Sequence, residues 1–162
     1  MNIHFIDTSV FVNIVNIENM NQERSAVMEE LKGLLKPQTE VLILPFATII
    51  ETGNHIAHNG DGRQRRETAQ RFSQCIVKTI EGEAPWSYYG KQMTPEDLRS
   101  TCADFPDFAM REEGFGDLSI IRAYQSYKEE TPAINRIRIW SLDSHLQCYD
   151  ETLHIPISRN HS

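Results

Sequence analysis

No stretch of the chain approaches the roughly 20 consecutive apolar residues that a membrane-spanning helix needs. Its first residues also lack the basic-then-apolar layout of a secretory signal. Cysteine is scarce: Cys75, Cys102 and Cys148 are odd in number, far apart and outside any Cys-x-x-Cys spacing. That argues against a disulfide framework or a cysteine-held zinc, and leads us to expect a protein of the reducing cytoplasm with no membrane attachment. The 8 glycines in 162 residues form neither a phosphate-cradling loop nor a nucleophile elbow, so P-loop nucleotide enzymes and serine hydrolases lose support. Positive charge is in deficit. A net charge of −7 argues against a protein that coats DNA or anionic membrane by bulk charge. It leaves room for a local basic patch, or for an acidic site that holds a cation. Internal repeats, low-complexity tracts and Gly/Ser linkers are also missing.

What is present suits one folded domain over residues 1–162, with 40% apolar residues to build a core. Ile3-His4-Phe5-Ile6 is a short β-prone run ending in the polar turn Asp7-Thr8-Ser9, with Thr8 or Ser9 able to cap a helix over 10–17. Val27, Met28, Leu31, Leu34 and Leu35 recur at helical spacing before Pro37. Val41-Leu42-Ile43-Leu44 reads as a strand buried on both faces, and Pro45 as the first turn of a helix reaching His58. A turn at 59–62 precedes a helix over 63–80. Residues 81–93 hold Pro85, Trp86, Tyr88 and Tyr89 and read as a loop or lid. Thr94-Pro95-Glu96-Asp97 is a helix start, and Asp117 opens another helix after the Gly114-Phe115-Gly116 break. A strand over 138–142, a short helix over 145–149 and a last strand over 153–157 complete the pattern. Strands alternating with helices predict a three-layer α/β/α sandwich on a mainly parallel sheet.

Four acids stand out by position. Asp7 and Asp143 each follow a strand, and in a parallel sheet the ligand crevice lies at the strands' carboxyl ends. Asp117 sits at a helix start. Glu51 lies in the otherwise apolar Phe46-Ala47-Thr48-Ile49-Ile50-Glu51, where a charge is costly unless paired or bound to a cation. Carboxylates gathered together repel and take up protons unless a hard divalent cation such as Mg2+ or Mn2+ neutralises them. Such a cluster activates water for attack on phosphorus. Each acid also has a plainer reading: a helix cap for Asp7 and Asp143, a first-turn acid for Asp117, a solvent-facing position for Glu51.

Taken together, the four segments resemble the PIN-domain family, the metal-dependent ribonuclease fold that includes VapC-type toxins. The family's motifs stand here as Ile6-Asp7-Thr8-Ser9, Ile50-Glu51-Thr52, Gly116-Asp117-Leu118-Ser119-Ile120 and Ser141-Leu142-Asp143-Ser144-His145-Leu146. The fourth departs from the family pattern in Ser141, usually Thr, and Leu146, commonly Phe. The stretch 81–115 reads as an insertion. The resemblance implies an Mg2+- or Mn2+-dependent endoribonuclease leaving 5′-phosphate and 3′-hydroxyl ends. It implies Asp7, Glu51, Asp117 and Asp143 as metal-holding catalytic residues, supported by Thr8, Ser9 and Ser141. It further implies single-stranded or structured RNA as substrate, an antitoxin partner if the chain is a toxin, and pairing into a homodimer.

Two other readings compete. A PIN-fold binding module without catalysis would have no reason to keep four costly acids. A haloacid-dehalogenase-type phosphohydrolase needs a second Asp two residues after the first, where Ser9 stands. Arg63, Arg65, Arg66 and Arg71 are candidates for contacting RNA phosphates, or form a solvated helix face with Glu67 paired locally. Trp86, Tyr88 and Tyr89 are candidates for stacking on unpaired bases, or pack a loop onto the domain. His55 and His58 lack a third ligand of clear spacing and read as surface residues, while His145 falls at the edge of the acidic site.

Overall fold

The structure is a computed structural model and describes residues 1–91 and 93–153. Five strands form the middle layer: β1 (Asn2–Ile6), β2 (Glu40–Pro45), β3 (Ser87–Tyr89), β4 (Arg136–Trp140) and β5 (Asp150–Thr152). Their order is β3-β2-β1-β4-β5, parallel throughout except for β5, which runs antiparallel to β4 at one edge. Successive strand residues face opposite sides. Ile3, Phe5, Ile43, Ile137 and Ile139 line one face, and Ile6, Leu42, Leu44 and Trp140 the other. With both faces apolar, helices must cover both. On the Ile6 face lie α1 (Thr8–Val15), α2 (Arg24–Leu34) and α4 (Gly62–Ile80), through Phe11, Val27, Leu31 and Phe72. On the Ile3 face lies α6 (Phe115–Glu130), through Ile120, Ile121 and Tyr124, with α5 (Pro95–Met110) packed on it. The helix α3 (Phe46–Ala57) touches α1 and α4 on one side and α6 on the other, and the single-turn α7 (Ser144–Gln147) follows β4. The three-layer sandwich and mainly parallel sheet expected from the sequence are the observed ones. Among the described residues no helix is long and apolar enough to cross a membrane.

Three local expectations change. The stretch read as a loop or lid over 81–93 holds β3, which pairs with β2 from Ile43 to Pro45 and adds an edge strand. Burial of Trp86, whose Nε1–H donates to Thr79 Oγ1 (2.9 Å), fixes the approach to that strand. Pro45 ends β2 and caps α3 rather than lying in its first turn; with no N–H to donate, it suits the residue where ladder gives way to helix. The closing strand is Asp150–Thr152, and the expected strand over 153–157 lies, beyond Leu153, outside the described residues. The helix start at Thr94 is found as read, with Thr94 and Asp97 bonded reciprocally.

A polar chain centred on the buried His4 crosses the sheet on its Ile6 face. His4, 1% exposed, lies between β2 and β4 in register with Leu42 and Arg138. Arg138 Nε donates to His4 Nδ1 (2.7 Å), so the ring's proton sits on Nε2 and goes to Glu40 Oε2 (2.6 Å). Arg138 also donates to Glu30 Oε1 of α2 (2.7 Å). Burial, with the Arg138 charge beside it, holds the His4 pKa below its ordinary value despite Glu40. A histidine with a depressed folded pKa binds fewer protons folded than unfolded, so its contribution is full above the unfolded value near 6.5 and is lost as pH falls below it. The urea midpoint is therefore expected to drop between about pH 7 and pH 5, and His4→Gln to flatten that drop at a cost of about 1–3 kcal/mol at neutral pH. Equal pH slopes for both proteins would contradict the assignment.

Candidate active site

The acids come together because the backbone turns that carry them are tied across the carboxyl edge of the sheet. Asp7 N–H donates to Trp140 O (3.0 Å), extending the β1–β4 ladder one residue and setting Asp7 beside Ser141. Asp7 then becomes the N-cap of α1. Thr48, fully buried in the first turn of α3, donates its Oγ1–H to Ile6 O (2.8 Å). That bond pins α3 to the end of β1, and Glu51 follows one turn later. Asp117 lies in the first turn of α6, preceded by Gly116, which is the point where α6 meets Glu51. A Cβ at Gly116 would fall 1.5 Å from Glu51 Oε1, so only glycine leaves room for this carboxylate.

Asp7, Glu51 and Asp117 are each held by part of the carboxylate, whereas Asp143 is held by neither oxygen among the described residues. Asp7, 1% exposed, receives the Ser9 hydroxyl (2.7 Å), the Ser141 hydroxyl (2.8 Å) and Ser9 N–H (3.3 Å), all on Oδ2. The two hydroxyls in turn accept backbone N–H groups, Ser9 from Leu142 (2.9 Å) and Ser141 from Asp143 (2.9 Å). Each serine has one proton and gives it to Asp7, so their mutual 3.2 Å approach is a packing contact rather than a third bond. Thr8 donates to Glu51 Oε2 (2.7 Å). Asp117 Oδ2 accepts Gly114 N–H (3.3 Å) and pairs with His145 Nε2 (3.0 Å). Asp143 occupies the N-cap position of α7 without capping it through its side chain. Among the described residues no donor reaches Asp7 Oδ1, Glu51 Oε1, Asp117 Oδ1 or either carboxylate oxygen of Asp143.

The four groups feel one another's charge. Burial raises the Glu51 pKa, and Asp117, Asp7 and Asp143 raise it further against the Thr8 hydrogen bond. Burial likewise raises Asp143, helped by Asp7 and Asp117 and opposed by His145. For His145, burial pulls the pKa down, but Asp117, Asp143 and Glu113 together leave it raised. No three His, Cys, Asp or Glu side chains among the described residues form a group that grips an ion by itself. The donor set still fits a hard divalent cation. It is all oxygen, it is negative, and each acid keeps a free oxygen. Mg2+ retains several waters and needs only one or two direct carboxylates.

Thr8, Ser9 and Ser141 thus lie at the acidic site, and so does His145. The basic cluster does not. Arg71 donates to Asn16 O (3.0 Å), at the end of α1 remote from Asp7 by the helix length of about 12 Å. Arg65 donates to Gly60 O (2.6 Å) beyond the far end of α3, and Arg63 pairs with Glu67 on an exposed surface. Because α4 runs back along α3, the basic end of α4, Arg66 included, is carried to the opposite edge of the sheet. His55 and His58 lie in the last turn of α3 and just beyond it, with no third ligand among the described residues. Thr48 and Gly116 are the positions that sequence reading missed. Thr48 had no signal beyond a polar residue in an apolar run, whereas Gly116 stood beside a flagged acid and was read only as a break.

Gly116→Ala tests the cradle. Glu51 is a flexible side chain, so the variant is expected to fold with stability changed by no more than about 1 kcal/mol. Its crystal structure is expected to show Glu51 turned away from Thr8. An unmoved Glu51 would refute the steric argument.

No protein-family model matches the chain, and no curated protein does. Among solved structures it is similar to Mycobacterium tuberculosis VapC20, a sarcin-ricin loop cleaving toxin, at a TM-score of 0.60. The two are 13% identical, and the match covers 94% of this chain and 98% of VapC20. A likeness at that identity is one of fold, and it agrees with the PIN-like fold that the four motifs led us to expect. The chain has the PIN-like α/β fold that VapC20 also has.

Proposed function

We propose that this protein is a divalent-metal-dependent endoribonuclease, in which Asp7, Glu51, Asp117 and Asp143 hold Mg2+ or Mn2+. The observation that carries the reading is the convergence of four carboxylates from distant segments, each anchored by at most one oxygen and free at another. When bound, such an ion neutralises phosphate charge and supplies a water nucleophile near neutral pH. The rest is the work of the chain's own residues. Ser9 and Ser141 fix the orientation of Asp7, Thr8 fixes Glu51, and the imidazole of His145 holds Asp117. Ligand orientation of this kind commonly governs metal affinity or activity by about 10–100-fold. The fold shared with VapC20 supports a toxin's role, with an antitoxin protein covering the crevice.

Purified protein is to be incubated with single-stranded RNA and with a sarcin-ricin loop RNA in Mg2+ or Mn2+. Cleavage is expected, abolished by EDTA and by Asp7→Asn, and reduced about 10–100-fold by Ser141→Ala. Cleavage that survives both chelator and Asp7→Asn would overturn the mechanism. The absence of any cleavage would favour a non-catalytic binding module.

Thermal unfolding gives an independent readout. A carboxyl with a raised folded pKa binds more protons folded than unfolded, so its charge destabilises the metal-free protein at neutral pH. Asp143→Asn is expected to raise the melting temperature of the metal-free protein and to diminish the rise that Mg2+ or Mn2+ gives the wild type. An ion-induced rise of equal size in both proteins would remove Asp143 from the ion's ligands.

A further inference from the structure

A cleft of about 950 Å³ opens from the acidic site along the seam between α3, α6 and the end of β3. Of the four acids Glu51 lines it, with Gly116 beside it, so the cleft reaches the acidic site at Glu51. Beyond them its lining is mixed, with Phe46 (54% exposed), Tyr88 (40%), Phe115, Ile50 and Met93 all open to solvent on one part and Asp97, Gln125 and Glu129 among its polar part. Of the three aromatics that the sequence offered for stacking, Trp86 is buried and Tyr89 packs edge-on against Phe5 and Tyr127. Tyr88 alone faces the cleft with an exposed ring, and Phe46 meets it edge-on at 6.5 Å. Tyr88 is also given its place: a Cβ at Gly90 would fall 2.2 Å from the Tyr88 ring. The two basic residues of the lining are already neutralised, Lys91 by Glu130 and Arg122 by Asp104. Among the described residues the cleft therefore offers flat apolar faces and no free cation, which suits a neutral planar group better than a phosphate.

Resting on the nuclease reading, we propose that this cleft receives an unpaired nucleobase of the RNA strand whose phosphate meets the acids. Tyr88 supplies the stacking face, Phe46 stands edge-on to it as a side wall, and Gly90 holds the space that lets Tyr88 lie in the cleft. A paired base has its faces covered by neighbours, whereas an unpaired one has a face to give. The cleft lies at the upper end of the usual range for ligand pockets, about 300–1,000 Å³, which leaves room for more than one base.

The test uses a short single-stranded RNA carrying 2-aminopurine, whose fluorescence falls on stacking. Asp7→Asn protein, with Mg2+ present, serves for binding, and active protein for cleavage. Binding is expected to quench the probe. Tyr88→Ala is expected to abolish the quench and to weaken binding and kcat/KM by roughly 10–100-fold. Tyr88→Phe is expected to restore both. Gly90→Ala, which moves the ring without removing it, is expected to act in the same direction as Tyr88→Ala. Quenching that depends on Tyr88 without any cleavage would sustain the base pocket and sink the nuclease reading. Cleavage without quenching, or cleavage and binding unchanged in Tyr88→Ala, would overturn the base pocket, leave the nuclease reading standing and give the cleft to a protein partner. Neither binding nor cleavage of any RNA would overturn both.

Discussion

Repulsion between like charges is the constraint around which this molecule is arranged. Four carboxylates drawn into one crevice destabilise the fold unless each is fixed and screened, and most of the polar bonds near the sheet's carboxyl edge serve that end. Ser9 and Ser141 together bind one oxygen of Asp7, Thr8 binds one of Glu51, and His145 with Gly114 N–H binds one of Asp117. Helix ends contribute as well. Asp7 caps α1 and Asp117 lies in the first turn of α6, where the partial positive charge of a helix start favours an anion. Glu51 lies further along its helix, and Asp143 precedes a helix of only four residues. These two have the least dipole support, and burial and their neighbours raise both their pKa values.

Much of this was legible in the sequence, for identifiable reasons. A strand buried on both faces reads as an unbroken apolar run, which marked Val41 to Leu44, while Ile3 to Ile6 was marked by its β-prone residues. An acid directly after such a strand is placed at the carboxyl edge by topology alone, which located Asp7 and Asp143. Edge strands are short and half-exposed and carry no such signal. β3, with three residues, therefore looked like part of a loop. The arginines of α4 show a different limit. Their sequence position between two acidic segments says nothing about which edge of the sheet they reach, and that is decided by the reversal of the chain at 58–61.

Two glycines do related work in the crevice. Gly116 leaves space for the Glu51 carboxylate and Gly90 for the Tyr88 ring. Neither has the left-handed backbone that usually explains a glycine, and neither marks a turn type that sequence could reveal. Their reason is close approach by another residue's side chain, which appears only once the elements are packed.

Because β1 lies between β2 and β4, the crevice draws on segments that are far apart in the sequence. A polypeptide leaving the ribosome presents Asp7 and Glu51 early, yet the hydrogen bond from Ser141 and the carboxylate of Asp143 arrive only after β4 has inserted beside β1. Assembly of the complete acidic set thus waits on β4, and a prematurely terminated chain that ends before residue 136 carries three of the four acids but neither Asp143 nor the Ser141 hydroxyl that holds Asp7.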